Sequence, residues 1–427
     1  MKIIIMGAGL IGVTTAYFLA REGHQVVVVE KQSNAGEQCS FANGGQLSYS
    51  HIDPWSEINF LSIIANFFKP SSFISGSKVF APSFLWWLRK FIKNNNSKKN
   101  TSIAKNLFTL STYSLKALDE IRLIEKDLKF HYNQEGILHF FRSKKIFERE
   151  LKKLDFKKSI KCPMQVLSPE ELIRKEPSLI KLYEKNKLAG GIFYKNDAVG
   201  DSHLFTVGLE KICREKYGVE FEYNCEVKNI LTNHANITGI NTDKQVFHGD
   251  AYISALGAYG NKLLQGIKID PQIYPIKGYS LSIETNDEFP APKIGLTDIE
   301  NKIVYSKLGN IFRSAGTIDI AGFSNHLNKK NLFFIKKSII NSFTHYGNIN
   351  EIKKWCGLRP FRPNSTPLIC KVSKYNNLFL NMGHGSLGWT LCAGSAKLMS
   401  QMVNQEHLDE RFDFLQQDEK TIYKDIK

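Results

Sequence analysis

The first thirty residues, MKIIIMGAGLIGVTTAYFLAREGHQVVVVE, restrict the possible folds of this chain more than any other segment. The apolar run Lys2–Met6 predicts a buried strand, and a G-x-G-x-x-G motif follows it at once. Leu10–Glu22 has the apolar spacing of a helix that ends at Gly23, and Gln25–Val29 predicts a second buried strand. Strand, glycine motif, helix and strand in this order predict a βαβ unit with parallel strands.

The glycines of the motif have separate tasks. Gly7 permits the tight turn, Gly9 lets the backbone approach a pyrophosphate, and Gly12 lets the helix lie close to the sheet. The helix N-terminus offers free N–H groups and the positive end of a dipole to phosphates. Glu30, which follows the second strand, is placed to accept hydrogen bonds from ribose hydroxyls. The segment therefore predicts a dinucleotide-binding site.

Length and cysteine content set the general class of the protein. A chain of 427 residues, of which 42% are hydrophobic, can bury a large core and is expected to form two domains. The seven cysteines are dispersed without a C-x-x-C pair, which argues against a disulfide framework or a zinc site and favours a reducing compartment. Because the chain starts with a strand and has no apolar run of ~20 residues, we expect no signal peptide, no membrane-spanning helix and a cytoplasmic location.

The formal net charge of +16 is unevenly distributed. Residues 58–118 contain nine Lys or Arg among many Phe and Trp, but no Asp or Glu. Such a segment suits the headgroup layer of an anionic membrane, where each cation contributes about 1 kcal/mol. It would also suit the core of a helical insertion, or the stacking of nucleic-acid bases. We favour peripheral contact with the inner membrane on its cytoplasmic face over nucleic acid, because the segment contains no recognised RNA-binding module.

The strand patterns predict two kinds of sheet. Buried strands of the nucleotide-binding kind recur after residue 190, whereas residues 266–354 carry strands spaced as in an antiparallel sheet. We therefore predict an α/β + α+β fold, in which a Rossmann-like domain carries an inserted antiparallel-sheet substrate domain. The first domain is expected to comprise residues 1–50, 190–265 and 355–427. The second is expected to comprise residues 51–189 and 266–354, including a helical insertion at 58–118 and an exposed linker at 94–100.

Five motifs along the chain resemble one known family. They are SFANGGQ at 40–46, PIKGYSL at 275–281, GLRP at 357–360, FRPNSTP at 361–367 and NMGHGSLGWT at 381–390. With the N-terminal unit, this set resembles the D-amino-acid-oxidase-like flavoproteins, a family that includes glycine oxidase and sarcosine oxidase. Within the family the chain is most similar to the small subunits of bacterial D-amino-acid dehydrogenases, and the similarity runs from end to end.

The resemblance implies non-covalent FAD, with its flavin between the two domains. Matching positions assign the pyrophosphate to Gly7, Gly9, Leu10, Ile11 and Gly12, and the ribose to Glu30 with Lys31 beside it. The flavin edge is assigned to Ala42, Asn43, Gly45 and Gln46. Val227 matches the strand residue whose backbone meets adenine, and Gly257 matches the position of close approach after the segment DAYISAL. The backbone amides that face the flavin N1–C2=O edge are assigned to Gly388, Trp389 and Thr390. A helix that begins there would direct its dipole at the negative charge a reduced flavin gathers.

The resemblance also implies the substrate-binding residues. Arg359 matches the arginine that binds the amino acid's carboxylate, a role for which a guanidinium offers two parallel donors. Tyr279 is the second candidate, because it could place a hydroxyl near the substrate, although a core position is equally open. His384 lies beside the flavin turn, but a packed side chain is the simpler interpretation. Hydride transfer from a neutral amine requires no strong base, so we name none, and we predict no metal ligands.

The implied activity is the FAD-dependent oxidative deamination of D-amino acids to 2-oxo acids and ammonia. Electrons would pass from the reduced flavin to a quinone or another acceptor. Two alternatives stay open: an oxidase of glycine, sarcosine, proline or another amine that uses O2, and a tRNA-modifying flavoprotein. The chain departs from the family pattern at Gly44, where Ala is common, and at Phe361 and Arg362, which leaves the size of the substrate open.

Overall fold

The computed structural model describes residues 1–51, 53–54, 73–94, 96–285, 291–345, 347–348 and 351–423. Its first layer is a six-stranded sheet that contains the predicted βαβ unit. Five of its strands are parallel, and Leu368–Lys371 pairs antiparallel at one edge. From that edge, the order of the strands is Leu368–Lys371, Leu378–Met382, Ala251–Ser254, Lys2–Met6, Gln25–Val29 and Glu220–Glu222.

The second layer is a nine-stranded mixed sheet, most of whose pairs are antiparallel. Its main path runs through Lys353–Phe361, Tyr274–Glu284, Ile311–Asp319, Ile303–Leu308, Gly295–Asp298, Ile137–Phe141, Gly190–Tyr194 and Gln165–Leu167, and Ile74–Ser75 pairs with Ile311–Asp319. A three-stranded sheet is formed by Val227–Asn233, Asn236–Thr242 and Val246–Phe247, and a two-stranded one by Gln46–Leu47 and Ala198–Val199. This combination confirms the predicted α/β + α+β fold.

Helices cover both layers. The longer ones are Leu10–Arg21, Pro82–Asn94, Ser97–Ile124, Ser202–Tyr217, Lys329–Ser342 and Gly388–Val403. The shorter ones are Lys144–Leu151, Leu154–Ser159, Pro169–Lys175, Ile180–Glu184, Gly260–Gln265 and Phe414–Glu419, with single 3-10 turns at Pro177–Leu179, Gly257–Tyr259, Glu410–Phe412 and Lys420–Tyr423. The largest core cluster joins Leu10–Arg21, Ser202–Tyr217 and Gly388–Val403 to the parallel sheet, because each helix buries an apolar face there.

Two strands lie in a different sheet from the one their position in the chain predicted. Gly190–Tyr194 and Lys353–Phe361 were expected to belong wholly or partly to the nucleotide-binding domain, but both are hydrogen-bonded members of the nine-stranded sheet. Gly190–Tyr194 is buried along its whole length, and such a strand has the same pattern in either sheet, so the sequence could not assign it. Lys353–Phe361 spans the predicted domain boundary at residue 355. We propose that the chain forms the two predicted domains, and that Gly190–Tyr194 and Lys353–Phe361 belong to the antiparallel-sheet domain.

The predicted linker at 94–100 is shorter than expected. The helix Pro82–Asn94 ends at Asn94, the first residue of the predicted linker, and the next helix already begins at Ser97. Asn100 is buried, so tertiary contacts outweigh the low helix propensity of this polar run.

Residues 58–72 of the basic segment lie outside the described residues. Among the described helices, none combines the length and apolar character needed to cross a bilayer.

Candidate functional site

A cavity of about 1850 Å³ lies between the parallel sheet and the nine-stranded sheet. One wall is formed by the residues that follow three parallel strands, namely Gly7, Ala255 and Gly383. The opposite wall is formed by the nine-stranded sheet, through Thr317 and Arg359 among others. Ligands of open α/β sheets bind beyond the carboxyl ends of the strands, and this cavity has that position. Its volume exceeds the roughly 300–1,000 Å³ of ordinary small-molecule pockets.

The glycine motif forms the floor of the cavity as the sequence predicted. Gly7 has a φ of +106°, and its N–H donates to the carbonyl of Val29 at 2.8 Å. A Cβ on Gly12 would overlap the carbonyl oxygen of Gly7, so the helix can approach the turn only with glycine there. A Cβ on Gly9 would meet nothing closer than the Ser40 hydroxyl at 4.0 Å. The backbone at Gly9 is therefore open toward the cavity.

Glu30 and Lys31 end the βαβ unit at the cavity edge. The carboxylate of Glu30 accepts hydrogen bonds from the N–H of Ala8 at 2.8 Å and from the N–H of Gln32 at 2.9 Å. These bonds hold the carboxylate beside the glycine turn, with its remaining lone pairs available to a ligand. The Lys31 ammonium lies 3.6 Å from the centroid of the Tyr259 ring, a cation–π contact that turns it toward the other side of the cavity.

The loop after the βαβ unit is attached to the antiparallel wall. Asn43 accepts a hydrogen bond from the N–H of Gly45 at 2.9 Å, which fixes a local turn. The Gln46 side chain donates to the carbonyl of Leu296 at 2.9 Å and accepts from the Thr297 hydroxyl at 3.1 Å. Asn43, Gly45 and Gln46 line the cavity. The loop therefore presents its backbone along one side of the cavity.

Val227 and Gly257 also line the cavity. Val227 is the first residue of the strand Val227–Asn233, which belongs to the three-stranded sheet, and is half-buried. Gly257 opens the 3-10 turn that follows the strand Ala251–Ser254 of the six-stranded sheet, and a Cβ there would meet only Pro360 at 3.9 Å.

The predicted helix N-terminus faces the cavity through its backbone. The helix Gly388–Val403 begins at the cavity, and Gly388, Trp389 and Thr390 all line it. The Trp389 indole is buried, donates to the carbonyl of Gly200 at 2.9 Å and packs on aromatic rings, so its side chain is structural. Thr390 accepts from the N–H of Ser48 at 2.9 Å. The first amides of this helix have no partner within the helix and can meet an anion.

Arg359 stands on the antiparallel wall without a carboxylate partner among the described residues. Its guanidinium lies over Gly278, where a Cβ would overlap it, and its Nη1 donates to the carbonyl of Thr317 at 3.0 Å. Burial lowers the pKa of Arg359 from its ordinary value, and the nearby Cys39 opposes that shift only partly. A half-buried guanidinium that lines a cavity and lacks a counter-ion among the described residues is a candidate site for an anionic ligand.

Tyr279 borders the cavity, but the structure does not bring its hydroxyl to Arg359. Arg359 pairs with Ile276 across the two strands, so its side chain shares a sheet face with residues 276, 278 and 280. Tyr279 points to the other face, where its hydroxyl donates to the buried carboxylate of Asp319 at 2.5 Å. Burial raises the pKa of Tyr279, and the bond to Asp319 adds to the rise. The alternative of a core position fits this geometry.

His384 is packed beside the helix N-terminus, as the sequence suggested. It is 6% exposed, and its Nε2 has no hydrogen-bond partner in the described part of the chain. Burial lowers the pKa of His384 to about 3, so the ring is neutral near pH 7. A neutral imidazole at this position can donate or accept one hydrogen bond.

The sequence did not reveal a polar cluster in the adjoining part of the cavity. Lys157 pairs with Asp53 at 3.2 Å and bonds to the Tyr194 hydroxyl at 3.0 Å. Burial favours the neutral form of Lys157, but the Asp53 carboxylate outweighs burial and raises its pKa. The rings of His51 and His139 form a T-shaped pair with centroids 5.7 Å apart, and burial lowers the pKa of both histidines. No local motif links these residues, which come from separate parts of the chain.

Of the predicted residues, most line the cavity. Gly12 supports the turn from behind, and Ala42 is buried with its carbonyl bonded to the Ser280 hydroxyl. Cavity-lining residues from the set are Gly7, Gly9, Leu10, Ile11, Glu30, Lys31, Asn43, Gly45, Gln46, Val227, Gly257, Tyr279, Arg359, Gly388, Trp389 and Thr390.

Comparisons with known proteins agree with this geometry. Residues 2–402 match the family model DAO, described as FAD dependent oxidoreductase. The chain is 34% identical to a D-amino acid dehydrogenase of Granulibacter bethesdensis over 96% of this chain and 98% of that protein. It is 32% identical to the same-named protein of Neisseria meningitidis, over 97% and 98%. Among solved structures, glycine oxidase from Bacillus cereus superposes with a TM-score of 0.73 at 19% identity, over 96% of this chain and 97% of that one.

Proposed function

Because this chain belongs to the DAO family of FAD-dependent oxidoreductases, we propose that it is a dehydrogenase of D-amino acids. The reaction converts a D-amino acid and water into a 2-oxo acid and ammonia, and passes two electrons to an acceptor. Bound FAD supplies the two-electron acceptor within the site. The observation that carries the proposal is the half-buried guanidinium of Arg359, which has no carboxylate partner among the described residues and faces the cavity that the glycine motif also lines.

The cavity fits FAD on several independent grounds. Gly9 leaves open backbone at the start of the helix Leu10–Arg21, as a pyrophosphate requires. The Glu30 carboxylate is held at the end of the second strand, where a ribose would lie. We assign Gly7 to Gly12 to the pyrophosphate, Glu30 to the ribose, and Val227 with Gly257 to the adenine side. Lys31 contacts Tyr259 and would act at the rim.

The flavin ring would lie between the loop Ala42–Gln46 and the helix that begins at Gly388. Backbone amides at Gly388, Trp389 and Thr390 would stabilise negative charge at one edge of the ring, since they have no partner within their helix. The Gln46 amide bonds to the carbonyl of Leu296 and to the Thr297 hydroxyl, so contacts within the protein hold the loop against the nine-stranded sheet. This pre-formed arrangement spares the reorganisation that catalysis would otherwise require.

Arg359 would bind the substrate's carboxylate. Two parallel N–H donors fix the orientation of a carboxylate, and this orientation directs the α-carbon toward the ring. The lowered pKa of Arg359 reflects an uncompensated burial that an anionic substrate would relieve. No described side chain near Arg359 is required as a base, because the amine can lose its proton to solvent before hydride transfer.

The proposal is tested by anaerobic reduction of the purified flavoprotein. D-alanine and other D-amino acids should bleach the flavin's visible absorbance, whereas L-amino acids should leave it unchanged. Bleaching by glycine, sarcosine or proline alone, with peroxide formed at the rate of turnover in air, would select the oxidase alternative. If dithionite bleaches the flavin but no amino acid does, the proposal fails. Co-purifying tRNA with steep salt dependence would then select the RNA-modifying alternative.

We further propose that the electron acceptor is a membrane quinone, reached by peripheral docking on an anionic membrane at its cytoplasmic face. The helix Pro82–Asn94 supports this because its two faces differ. Phe84, Trp87 and Phe91 are buried, and the Trp87 indole donates to the carbonyl of Phe361 at 3.0 Å. The outward face and the turn before it carry exposed apolar and basic residues, namely Phe80, Leu85, Trp86, Arg89, Ile92 and Lys93. Apolar and cationic groups on one face match a lipid headgroup layer.

Vesicle binding tests the docking surface. Wild-type protein should bind phosphatidylglycerol vesicles and not phosphatidylcholine vesicles. Arg89→Glu with Lys93→Glu should weaken binding at least about tenfold, since each cation near the surface contributes about 1 kcal/mol. The matched control is Lys211→Glu with Lys337→Glu, which makes the same charge change on two other helices. Equal binding by both double variants would contradict the proposal.

A further inference from the structure

We infer that Thr317 completes the carboxylate-binding site: its carbonyl positions Arg359 and its hydroxyl binds the substrate's carboxylate. This inference rests on the proposed function, since it concerns the same ligand. Thr317 lies in the strand Ile311–Asp319 and lines the cavity together with Arg359. No motif in the sequence marks this residue.

The backbone of the strand is irregular at this point. Lys277 pairs with Asp319 and Tyr279 with Gly316, so the strand Ile311–Asp319 contains one residue more than its partner over this stretch. Thr317 has a φ of +63°, in the left-handed region that a β-branched residue rarely adopts. Bulges of this kind are frequent beside active sites, where they redirect a group that a regular strand would point elsewhere.

Because of this irregularity, the backbone carbonyl and the side chain of Thr317 have directions that they would not have in a regular strand. Its carbonyl accepts the hydrogen bond from Arg359 Nη1 at 3.0 Å. This is the one hydrogen bond that the guanidinium makes to a described residue. Gly278 on the facing strand leaves the space in which the guanidinium lies. The carbonyl of Thr317 and the missing side chain of Gly278 together fix Arg359 without a carboxylate that would compete with the substrate.

The hydroxyl of Thr317 is the second part of the argument. Thr317 is 2% exposed, and its Oγ1 has no hydrogen-bond partner among the residues that the structure describes. Buried hydroxyls nearly always have a partner, so an unpartnered one beside a cavity indicates a ligand group. The neighbouring guanidinium attracts anions, and a hydroxyl can donate to the same carboxylate that Arg359 binds. The chemical class indicated is a small carboxylate.

The test measures carboxylate binding separately from turnover. Propionate has the carboxylate of alanine but no amine, and propionamide is its uncharged counterpart. Binding of each to the FAD-loaded protein is followed by the change in flavin absorbance. Thr317→Val keeps the β-branched shape and removes the hydroxyl, and we expect it to weaken propionate binding about tenfold. Propionamide binding should change much less, and Thr317→Ser should restore propionate binding to near the wild-type value.

Kinetics provide a readout that a purely structural role would not change. In Thr317→Val the concentration of D-alanine that gives half-maximal flavin reduction should rise about tenfold, with the limiting rate nearly unchanged. If this variant does not fold, Thr317→Gly removes the hydroxyl at a φ that glycine adopts freely. The matched control is Thr285→Val, because the Thr285 hydroxyl bonds to the carbonyl of Asn310 at an exposed position.

The outcomes separate this inference from the proposed function. If wild-type protein binds propionate and Thr317→Val or Thr317→Gly binds it equally well, the role of the hydroxyl is overturned while the proposed function stands. If wild-type protein neither binds propionate nor is reduced by any D-amino acid, the proposed function itself fails. Weaker binding in both variants, together with recovery in Thr317→Ser, supports the inference.

Discussion

The Ser280 hydroxyl donates a hydrogen bond of 2.6 Å to the carbonyl of Ala42, and so joins the antiparallel sheet to the loop that follows the βαβ unit. A second bond runs from the Ser306 hydroxyl to the carbonyl of Gly44 at 2.8 Å. Both serines belong to the nine-stranded sheet. The loop is therefore shaped by the second layer, although it continues the chain of the first. A change in the sheet under this loop should alter flavin binding without touching the glycine motif.

Gly44 is the position at which this coupling can be tested most simply. A Cβ on Gly44 would lie 2.5 Å from Cγ2 of Val304, closer than carbon atoms approach. We predict that Gly44→Ala lowers the free energy of unfolding by about 1–3 kcal/mol and reduces FAD content, because the loop must move from the sheet. Val304→Ala alone should cost about 1 kcal/mol. The double variant should recover most of the FAD content, measured as the ratio of visible to ultraviolet absorbance.

A double-mutant cycle decides whether the contact is responsible. Additive losses in Gly44→Ala/Val304→Ala would show that the two sites do not interact and would contradict this explanation. The result also bears on the departure from the family pattern that the sequence comparison led us to expect at Gly44. A valine at 304 explains in steric terms why this chain has glycine there.

Local motifs predicted the first wall of the site, and long-range pairing determined the second. The turn from Gly7 to Gly12 and the carboxylate of Glu30 follow from thirty consecutive residues, whose geometry is fixed by sterics alone. The predicted domain boundary at residue 190 placed Gly190–Tyr194 with the first layer, whereas the strand pairs in the nine-stranded sheet, because its apolar pattern is the same in either layer. Nothing within the strand itself distinguishes the two.

The polar groups of the second wall were not predictable for a similar reason. Lys157 and Asp53 are separated by 104 positions and meet only because the chain folds back over the cavity. Thr317 acquires its position from an extra residue in one strand, which depends on pairing with a strand some forty residues earlier. The predicted role of Tyr279 depended on which sheet face it occupies, and a one-residue change of register reverses that face.

Arg359 and Arg362 stand three residues apart and should respond differently to the same change. Arg359→Lys keeps the charge but loses the paired donors, so we expect the D-amino acid concentration for half-maximal flavin reduction to rise roughly 10- to 100-fold. Arg362 is buried and donates to the carbonyls of Pro271 and Thr366, both at 3.2 Å. Arg362→Lys should therefore lower stability by about 1–3 kcal/mol and leave this concentration within about threefold of wild type.

The two lysine variants serve as controls for one another. Anaerobic titration of each FAD-loaded variant gives the half-maximal concentration, and urea unfolding gives its stability. An increase of the half-maximal concentration in both variants would mean that the whole segment positions the substrate. A normal value in Arg359→Lys would show that the carboxylate binds elsewhere. The same titration with Arg359→Ala should show no bleaching at ordinary substrate concentrations.

Tyr279→Phe separates a structural role from a catalytic one. The change removes the donor that Asp319 accepts at 2.5 Å, and Lys277 remains as its ion-pair partner at 3.3 Å. We expect the free energy of unfolding to fall by about 1–3 kcal/mol, since a buried carboxylate loses one hydrogen bond. The limiting rate of flavin reduction per bound FAD should stay within about twofold of wild type. A drop of 100-fold or more in that rate would restore Tyr279 as a catalytic residue.

His384 should make the stability of the protein depend on pH. Burial lowers the pKa of His384 to about 3, whereas a histidine in the unfolded chain titrates near 6.5. Between these values the unfolded chain binds a proton that the folded protein does not, so stability decreases as the pH falls from 6.5 toward 3. The slope is about 1.4 kcal/mol per pH unit, which gives about 2 kcal/mol between pH 6.5 and 5.0.

We predict that His384→Gln removes this part of the pH dependence of stability. Urea unfolding at pH 7.5 and 5.0 in excess FAD measures it. The residual dependence of the variant is expected from His51 and His139, whose pKa values burial also lowers. An unchanged difference between the two pH values in His384→Gln would show that burial does not lower the pKa of His384 in the folded protein, and would contradict this prediction.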